Sequence, residues 1–219
     1  MEKKNQYSWD RYLKLMKERP ALFTQSDVLH IITDEKIVQD FIEQSGKKIG
    51  VIYESPYSLF IVDLVLDKAG NIFTFERLIP QNIGAIICVP IYNDKFVLLK
   101  QYRHSVRAAQ YAFPRGFGES GLSSEDNLKK EVREELDAEI IDTTFLGQIM
   151  PDSGILSSIV DVYYCNVTVP KPKIGYEGIQ QLCLVDASEF DRMIRSGEIN
   201  DSFTLSSYAL YLSHSKNLK

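Results

Sequence analysis

A chain of 219 residues with 44 % hydrophobic content is long enough for one sizeable core plus an extension or a small second domain. Its net charge of −5 argues against nonspecific nucleic-acid binding, which needs a basic footprint. Cys88, Cys165 and Cys183 are isolated and odd in number, which suits a reducing cytoplasm, and the absence of an N-terminal apolar region or a long apolar run predicts neither a secretion signal nor a membrane span.

Residues 1–48 read as a helical extension. Trp9, Tyr12, Leu13 and Met16 recur at helical spacing until Arg19-Pro20 stops the run, and Thr33-Asp34 opens a second helix through Ile37, Phe41 and Ile42 to Gly46. The apolar stripe reads as packing surface and His30 as structural. From Ile49 the period changes: Ile49–Glu54, Leu59–Leu66 and Asn71–Leu78 are β-rich runs separated by Ser55-Pro56 and by Asp67-Lys68-Ala69-Gly70, an antiparallel meander over residues 49–80. Leu59, Ile61 and Asp63 point one way and Phe60, Val62, Leu64 and Leu66 the other, so this sheet needs a cover. A second copy in a two-fold dimer and the N-terminal helices folding back are the two ways to supply it. Gly84–Pro90 and Lys95–Gln101 follow as strands joined by an Asn93-Asp94 hairpin turn, and Arg103, just past the second, reads on its own as a surface strand-end arginine.

The stretch from Phe113 to Ala138 is the densest in chemistry. A loop carrying Gly116, Gly118 and Gly121 feeds a helix that Ser123 or Ser124 can cap. Leu128, Val132 and Leu136 fall on one arc of that helix, while Glu131, Glu134 and Glu135 form an acidic band beside it. Like charges at this spacing oppose each other unless a cation sits between them. Two readings follow: a solvated acidic face paired with Lys129, Lys130 and Arg133, or a set of hard oxygen ligands for Mg²⁺ or Mn²⁺. Beyond the helix, Phe145–Gln148 and Val160–Val167 read as strands around a loop from Met150 to Ser158. Glu177–Asp186 is an acidic loop running into a strand, Ala187–Ser196 a helix closed by Gly197, and Asn200–Thr204 the cap of a last helix.

The stretch from Gly116 to Ala138 resembles the Nudix box, Gly-x5-Glu-x7-Arg-Glu-hydrophobic-x-Glu-Glu-x-Gly-hydrophobic. Gly116, Glu131, Val132, Glu134, Glu135 and Ala138 match it. Lys130 stands for the arginine, Leu122 for the first glutamate and Asp137 for the last glycine. Leu122, closing the loop ahead of the apolar helix face, is expected to pack beneath it. Gln101-Tyr102-Arg103 ahead of the box is similar to the ADP-ribose pyrophosphatase branch of the superfamily. Two glutamates of that branch are missing: Ser158 stands where its loop acid would be, with Asp152 and Asp161 the nearest acids, and Ala112 where it often has a glutamate before the turn.

The resemblance implies an α+β fold, an α/β/α sandwich on a mixed sheet, housed in residues 81–219 and preceded by the meander and the helical extension. It implies a metal-dependent hydrolase that cleaves the pyrophosphate bond of a nucleoside diphosphate derivative such as ADP-ribose or a nucleotide sugar. Glu131 and Glu135 would ligate Mg²⁺ or Mn²⁺ with the Arg115 carbonyl, Glu134 would be a further ligand or the water-orienting base, and Arg103, Arg107, Arg115 and Gly116 would face the phosphates. A homodimer paired through the strands before the core is expected, with no nucleic-acid or membrane partner. The alternative is a catalytically weak module that binds a nucleotide sugar for regulation.

Overall fold

The computed structural model describes residues 3–215, which divide into two compact units, one over residues up to 81 together with 152–157 and one over residues 82–151 together with those from 158 onward. In the first unit, helix α1 (Lys3–Glu18) ends where Pro20 forbids its continuation, and α2 (Glu35–Ser45) starts where the Asp34 carboxylate accepts the Ile37 N–H. Gly46, at φ 70°, closes α2 in the left-handed conformation. Strand β3 (Ser58–Asp67) is the spine of the sheet. It pairs antiparallel with β1 (Leu29–Ile31), β2 (Gly50–Glu54) and β4 (Ile72–Pro80).

Ile61 to Val65 of β3 are all buried, so both faces of the strand are covered. The cover is the chain's own: Trp9, Tyr12 and Leu15 of α1 and Val38 of α2 share one core with Leu59, Ile61 and Leu64. A partner is therefore not needed to bury this sheet. Helix α1 lies so close to β2 that a Cβ on Gly50 would come 2.6 Å from the Ser8 carbonyl oxygen, while the Ser8 hydroxyl donates to the carbonyls of Ile49 and Val51. His30 is exposed on β1.

The second unit is built on a seven-stranded mixed sheet. Strands β5 (Ala85–Tyr92) and β6 (Lys95–Arg103) form a hairpin whose turn residues, Asn93 and Asp94, both take positive φ, as the right-handed twist of the flanking strands demands. They pair only beside that turn and then diverge. Two strands missing from the sequence-based expectation fill the opening: β7 (Ala108–Ala112) on β6 and β8 (Arg115–Gly116) on β5. Strand β10 (Val160–Val167) runs parallel to β5 and antiparallel to β9 (Ile140–Ile149), and β11 (Ile179–Val185) flanks β6.

Alternation along β5 divides the core into two layers. Ile86 and Cys88 face Leu128, Val132 and Leu136 of helix α3 (Ser124–Leu136). Ile87, Val89 and Ile91 face Phe190 and Met193 of α4 (Ala187–Arg195) and Tyr208 of α5 (Ser202–His214). The expected α+β sandwich is thus observed, with α3 on one face and α4 and α5 on the other. Ser123 caps α3 by accepting the Asp126 N–H, and Asp137 ends it at φ 48°, ψ 46°, the left-handed position usually held by glycine. Cys88, Cys165 and Cys183 are free thiols, and no described helix is long and apolar enough to cross a membrane.

Asp63 is the buried charge of the first unit. It accepts from the Tyr12 hydroxyl and from two nitrogens of Arg77, at 2.6 and 3.1 Å; Arg77 also donates to the Leu22 carbonyl and lies over the Phe23 ring. Burial and the Asp63 charge push the Tyr12 hydroxyl far above its ordinary pKa, so it stays a donor. Breaking a buried pair strands the remaining charge. Asp63→Asn should therefore cost about 3 kcal/mol in urea unfolding, and a loss under about 1 kcal/mol would show that the triad does not hold helix to sheet.

Candidate active site

The site is laid down where β5 and β6 diverge. Gly116 of β8 pairs with Ile86, and α3 packs across so tightly that a Cβ on Gly116 would come 2.0 Å from the carboxyl carbon of Glu131. Only glycine leaves room for that carboxylate. The loop that follows is pinned twice. A Cβ on Gly118 would meet the Ile83 carbonyl oxygen at 1.6 Å, and the buried Asn127 amide donates to the carbonyls of Gly84, at 3.1 Å, and Phe117, at 2.9 Å.

Glu131 and Glu135, one turn apart on α3, are the two acids brought into this recess. The Glu131 side chain is 13 % exposed and Glu135 is buried; Glu135 accepts the backbone N–H of Arg115 at 3.1 Å. Burial pushes the Glu131 carboxyl up to about 7, opposed by Lys130 and reinforced by Glu134 and Glu177. Burial likewise pushes Glu135 up to about 7, and the neighbouring Glu131 charge adds to it. Neither acid has a side-chain partner that offsets its burial in full. The third member of the band differs: Glu134 is exposed and bonded to Lys130 at 3.0 Å.

Arg103, at the end of β6, is the cation of the recess. Its Nε is buried without a hydrogen-bond partner, burial and the Arg115 charge lower its pKa, and Glu135, Asp201 and Glu177 act on it from nearby. The other two arginines are engaged elsewhere. Arg107 sits at positive φ in the β6–β7 turn, in contact with His104 and over the Tyr102 ring. The Arg115 guanidinium donates to both oxygens of Asp201, at 2.7 and 2.9 Å, and lies 4.1 Å from the centre of the Phe203 ring. Arg115 thus meets Glu135 through its backbone N–H, and its side chain ties β8 to the start of α5.

Leu122 is 40 % exposed, so the expectation that it packs beneath the loop is corrected. Asp161 accepts from the Ser124 hydroxyl and the Gln148 amide, and Asp152 caps its own turn by accepting the Gly154 N–H. Glu177 was not singled out from the sequence, yet its charge raises both Glu131 and Glu135. It stands at φ 44°, unusual for a residue with a side chain, ahead of Gly178, whose Cβ would lie 2.9 Å from the Tyr102 carbonyl oxygen; the Gln101 amide donates to the Glu177 carbonyl. An acid between two glycines at the mouth of a strand was the available signal.

Among the described residues no three His, Cys, Asp or Glu side chains form a ready-made metal cage. Two buried carboxylates short of positive charge nevertheless suit a hard divalent cation, since Mg²⁺ is commonly held by one or two carboxylates together with substrate phosphates.

No protein-family model matches the chain. Over 103 residues it is 26 % identical to the ADP compounds hydrolase NudE of Escherichia coli (strain K12), a match covering 47 % of this chain and 55 % of that protein, so the chain spans about half the length of the curated relative it matches. A crystal structure of an ADP compounds hydrolase superposes with a TM-score of 0.65 at 18 % identity, covering 77 % of this chain and 91 % of that one. The resemblance read from residues 113–138 is borne out: the chain is related in sequence to an ADP compounds hydrolase and shares its fold.

Two glycine substitutions separate site from scaffold. Gly116→Ala collides with a movable carboxylate and should fold with a near-normal melting temperature; if Glu131 binds metal, the variant should lose the rise in melting temperature expected with Mn²⁺. Gly118→Ala collides with a backbone carbonyl and should cost roughly 2 kcal/mol or more of stability. A full Mn²⁺ response in Gly116→Ala would show that Glu131 does not bind metal from this position.

Proposed function

We propose that this chain hydrolyses the pyrophosphate linkage of an ADP-containing compound, such as ADP-ribose or a nucleotide sugar, with Mg²⁺ or Mn²⁺ held at Glu131 and Glu135. The observation that carries the reading is a pair of buried, undercompensated carboxylates beside an arginine whose buried Nε has no partner. Carboxylates short of donors and a guanidinium nitrogen short of an acceptor are together complementary to a metal-bound phosphoanhydride. Bound there, the metal would lower the pKa of a water and neutralise charge on the phosphate oxygens.

The chain's own residues supply the rest. Glu131 and Glu135 present their oxygens from one helix face, with the Arg115 carbonyl as the proposed third ligand. Arg103 offers paired donors to a phosphate oxygen, and Gly116 keeps the approach open. Glu134 and Glu177 are our two candidates to orient an attacking water: Glu134 is restrained by Lys130, and the charge of Glu177 raises both proposed ligands.

The relationship to an ADP compounds hydrolase supports this reaction class over a purely regulatory binding module. Residues 81–219 are read as the hydrolase domain in a cytoplasmic protein, with residues 1–48 as its helical extension and 49–80 as its strand subdomain. The chain is also proposed to pair as a homodimer. What supports pairing is the edge strand β4, which leaves Ile72 and Phe73 exposed at its start.

Assay of a panel of nucleoside diphosphate derivatives with Mg²⁺ and Mn²⁺ tests the activity. Glu131→Gln and Glu135→Gln should each lower kcat at least about a hundredfold and leave the metal-free protein as stable as before or more so, because each removes a buried negative charge. Near-normal turnover in both would overturn the assignment. Metal-dependent nucleotide binding without turnover in the unmodified chain would favour the regulatory module. In sedimentation, a clean monomer of the 25.1 kDa chain at micromolar concentration would refute the dimer.

A further inference from the structure

Lys130 stands among three carboxylates, and one of them, Glu119, is not connected to it by helical spacing. Its Nζ lies 2.7 Å from Glu119, 3.0 Å from Glu134 and 4.0 Å from Glu131. Glu119 belongs to the glycine loop, and the other two belong to α3. One ammonium therefore ties the loop to the acidic band and stands beside the carboxylate that Gly116 makes room for.

The position of Glu119 bears directly on the departure at Leu122. The Leu122 N–H donates to the Glu119 carbonyl at 3.2 Å, closing a four-residue turn, and Gly121 takes φ +86° at its third position, as a type II turn requires. The first and fourth residues of such a turn have Cα atoms within about 7 Å of each other. A carboxylate borne at 119 and one borne at 122 thus start from neighbouring points on the same loop.

On the reading of the site given above, we propose that Glu119 supplies, across this turn, the loop carboxylate that is missing at Leu122, and that Glu119 and Lys130 act as positioning residues that hold the loop on α3 and fix Glu131 for metal. Exposed ion pairs of this kind contribute little to stability, and the side chains of Lys130 and Glu119 are 32 % and 47 % exposed. A positional role is then visible in metal affinity and not in melting temperature.

The test is Mn²⁺ affinity of the full chain, read from the paramagnetic resonance of free Mn²⁺, with melting temperature alongside and kcat on ADP-ribose as a second readout. Glu119→Gln should raise the Mn²⁺ Kd roughly tenfold, the scale for losing a group that orients a ligand, with the melting temperature within about 2 °C. Leu122→Glu alone should change little, while adding it to Glu119→Gln should restore affinity to within about threefold of the unmodified chain. Lys130→Arg should retain affinity and Lys130→Met should lose it. An unchanged Kd in Glu119→Gln, or a double variant as weak as the single one, overturns the proposal. If Glu131→Gln abolishes Mn²⁺ binding while Glu119→Gln does not affect it, only this inference fails. If the unmodified chain binds no Mn²⁺, the metal site itself fails.

Discussion

The constraint on which the site depends is the burial of two like charges on one helix turn. Glu131 and Glu135 are placed where burial disfavours their ionised forms, and each is further opposed by neighbouring acids. A helix whose only task was packing would carry apolar or paired residues there. Leu128, Val132 and Leu136 already anchor α3 to the sheet, so the acids are a cost that packing carries and a bound cation would relieve.

The scaffold explains how that cost is met. Strands β5 and β6 share a turn and then part, and the short strands β7 and β8 occupy the gap. That brings the backbone of Arg115 and Gly116 beneath α3 at the distance where an N–H reaches Glu135 and the absence of a side chain admits Glu131. The Arg115 side chain, held by Asp201 and stacked on Phe203, fixes β8 from the other direction. Asp201 also accepts the Thr204 N–H and hydroxyl, so the cap of α5 and the floor of the site share one carboxylate.

What the sequence showed and what it hid divide along range. Caps and stops are local chemistry: Asp34, Gly46, Pro20 and Ser123 act within four residues of themselves and were legible. So were the strands with alternating apolar residues and the acidic band of α3. Strand β7 was not, because Ala108-Ala109-Gln110-Tyr111-Ala112 has no β-branched residue and takes its conformation from β6. The β1 strand is three residues long and exists only by pairing with β3. At the site, spacing identified Glu131 and Glu135 but misjudged what stands around them. It placed Leu122 inside, although the turn it closes faces solvent, and it passed over Glu119, which meets the band through Lys130, and Glu177, which acts on it from the short helical turn ahead of β11. Spacing also could not tell that the Arg115 guanidinium is taken up by Asp201, while a buried nitrogen of Arg103 is left without a partner.

The two units offer an internal comparison of what a buried acid is for. Asp63 is as buried as Glu135, but it accepts from Tyr12 and from two nitrogens of Arg77, and the arginine spends a further donor on the Leu22 carbonyl. Every strong acceptor position there is answered from within the chain, which is how a structural charge is kept. Glu135 has one backbone N–H and a second acid as its neighbour, and Glu131 has only Lys130 at 4.0 Å, shared with two other carboxylates. The same residue class at comparable depth is saturated in one unit and left short of donors in the other. Burial alone therefore does not distinguish the acids of the two units; the supply of donors does, and that shortage is what carries the proposed role of Glu131 and Glu135.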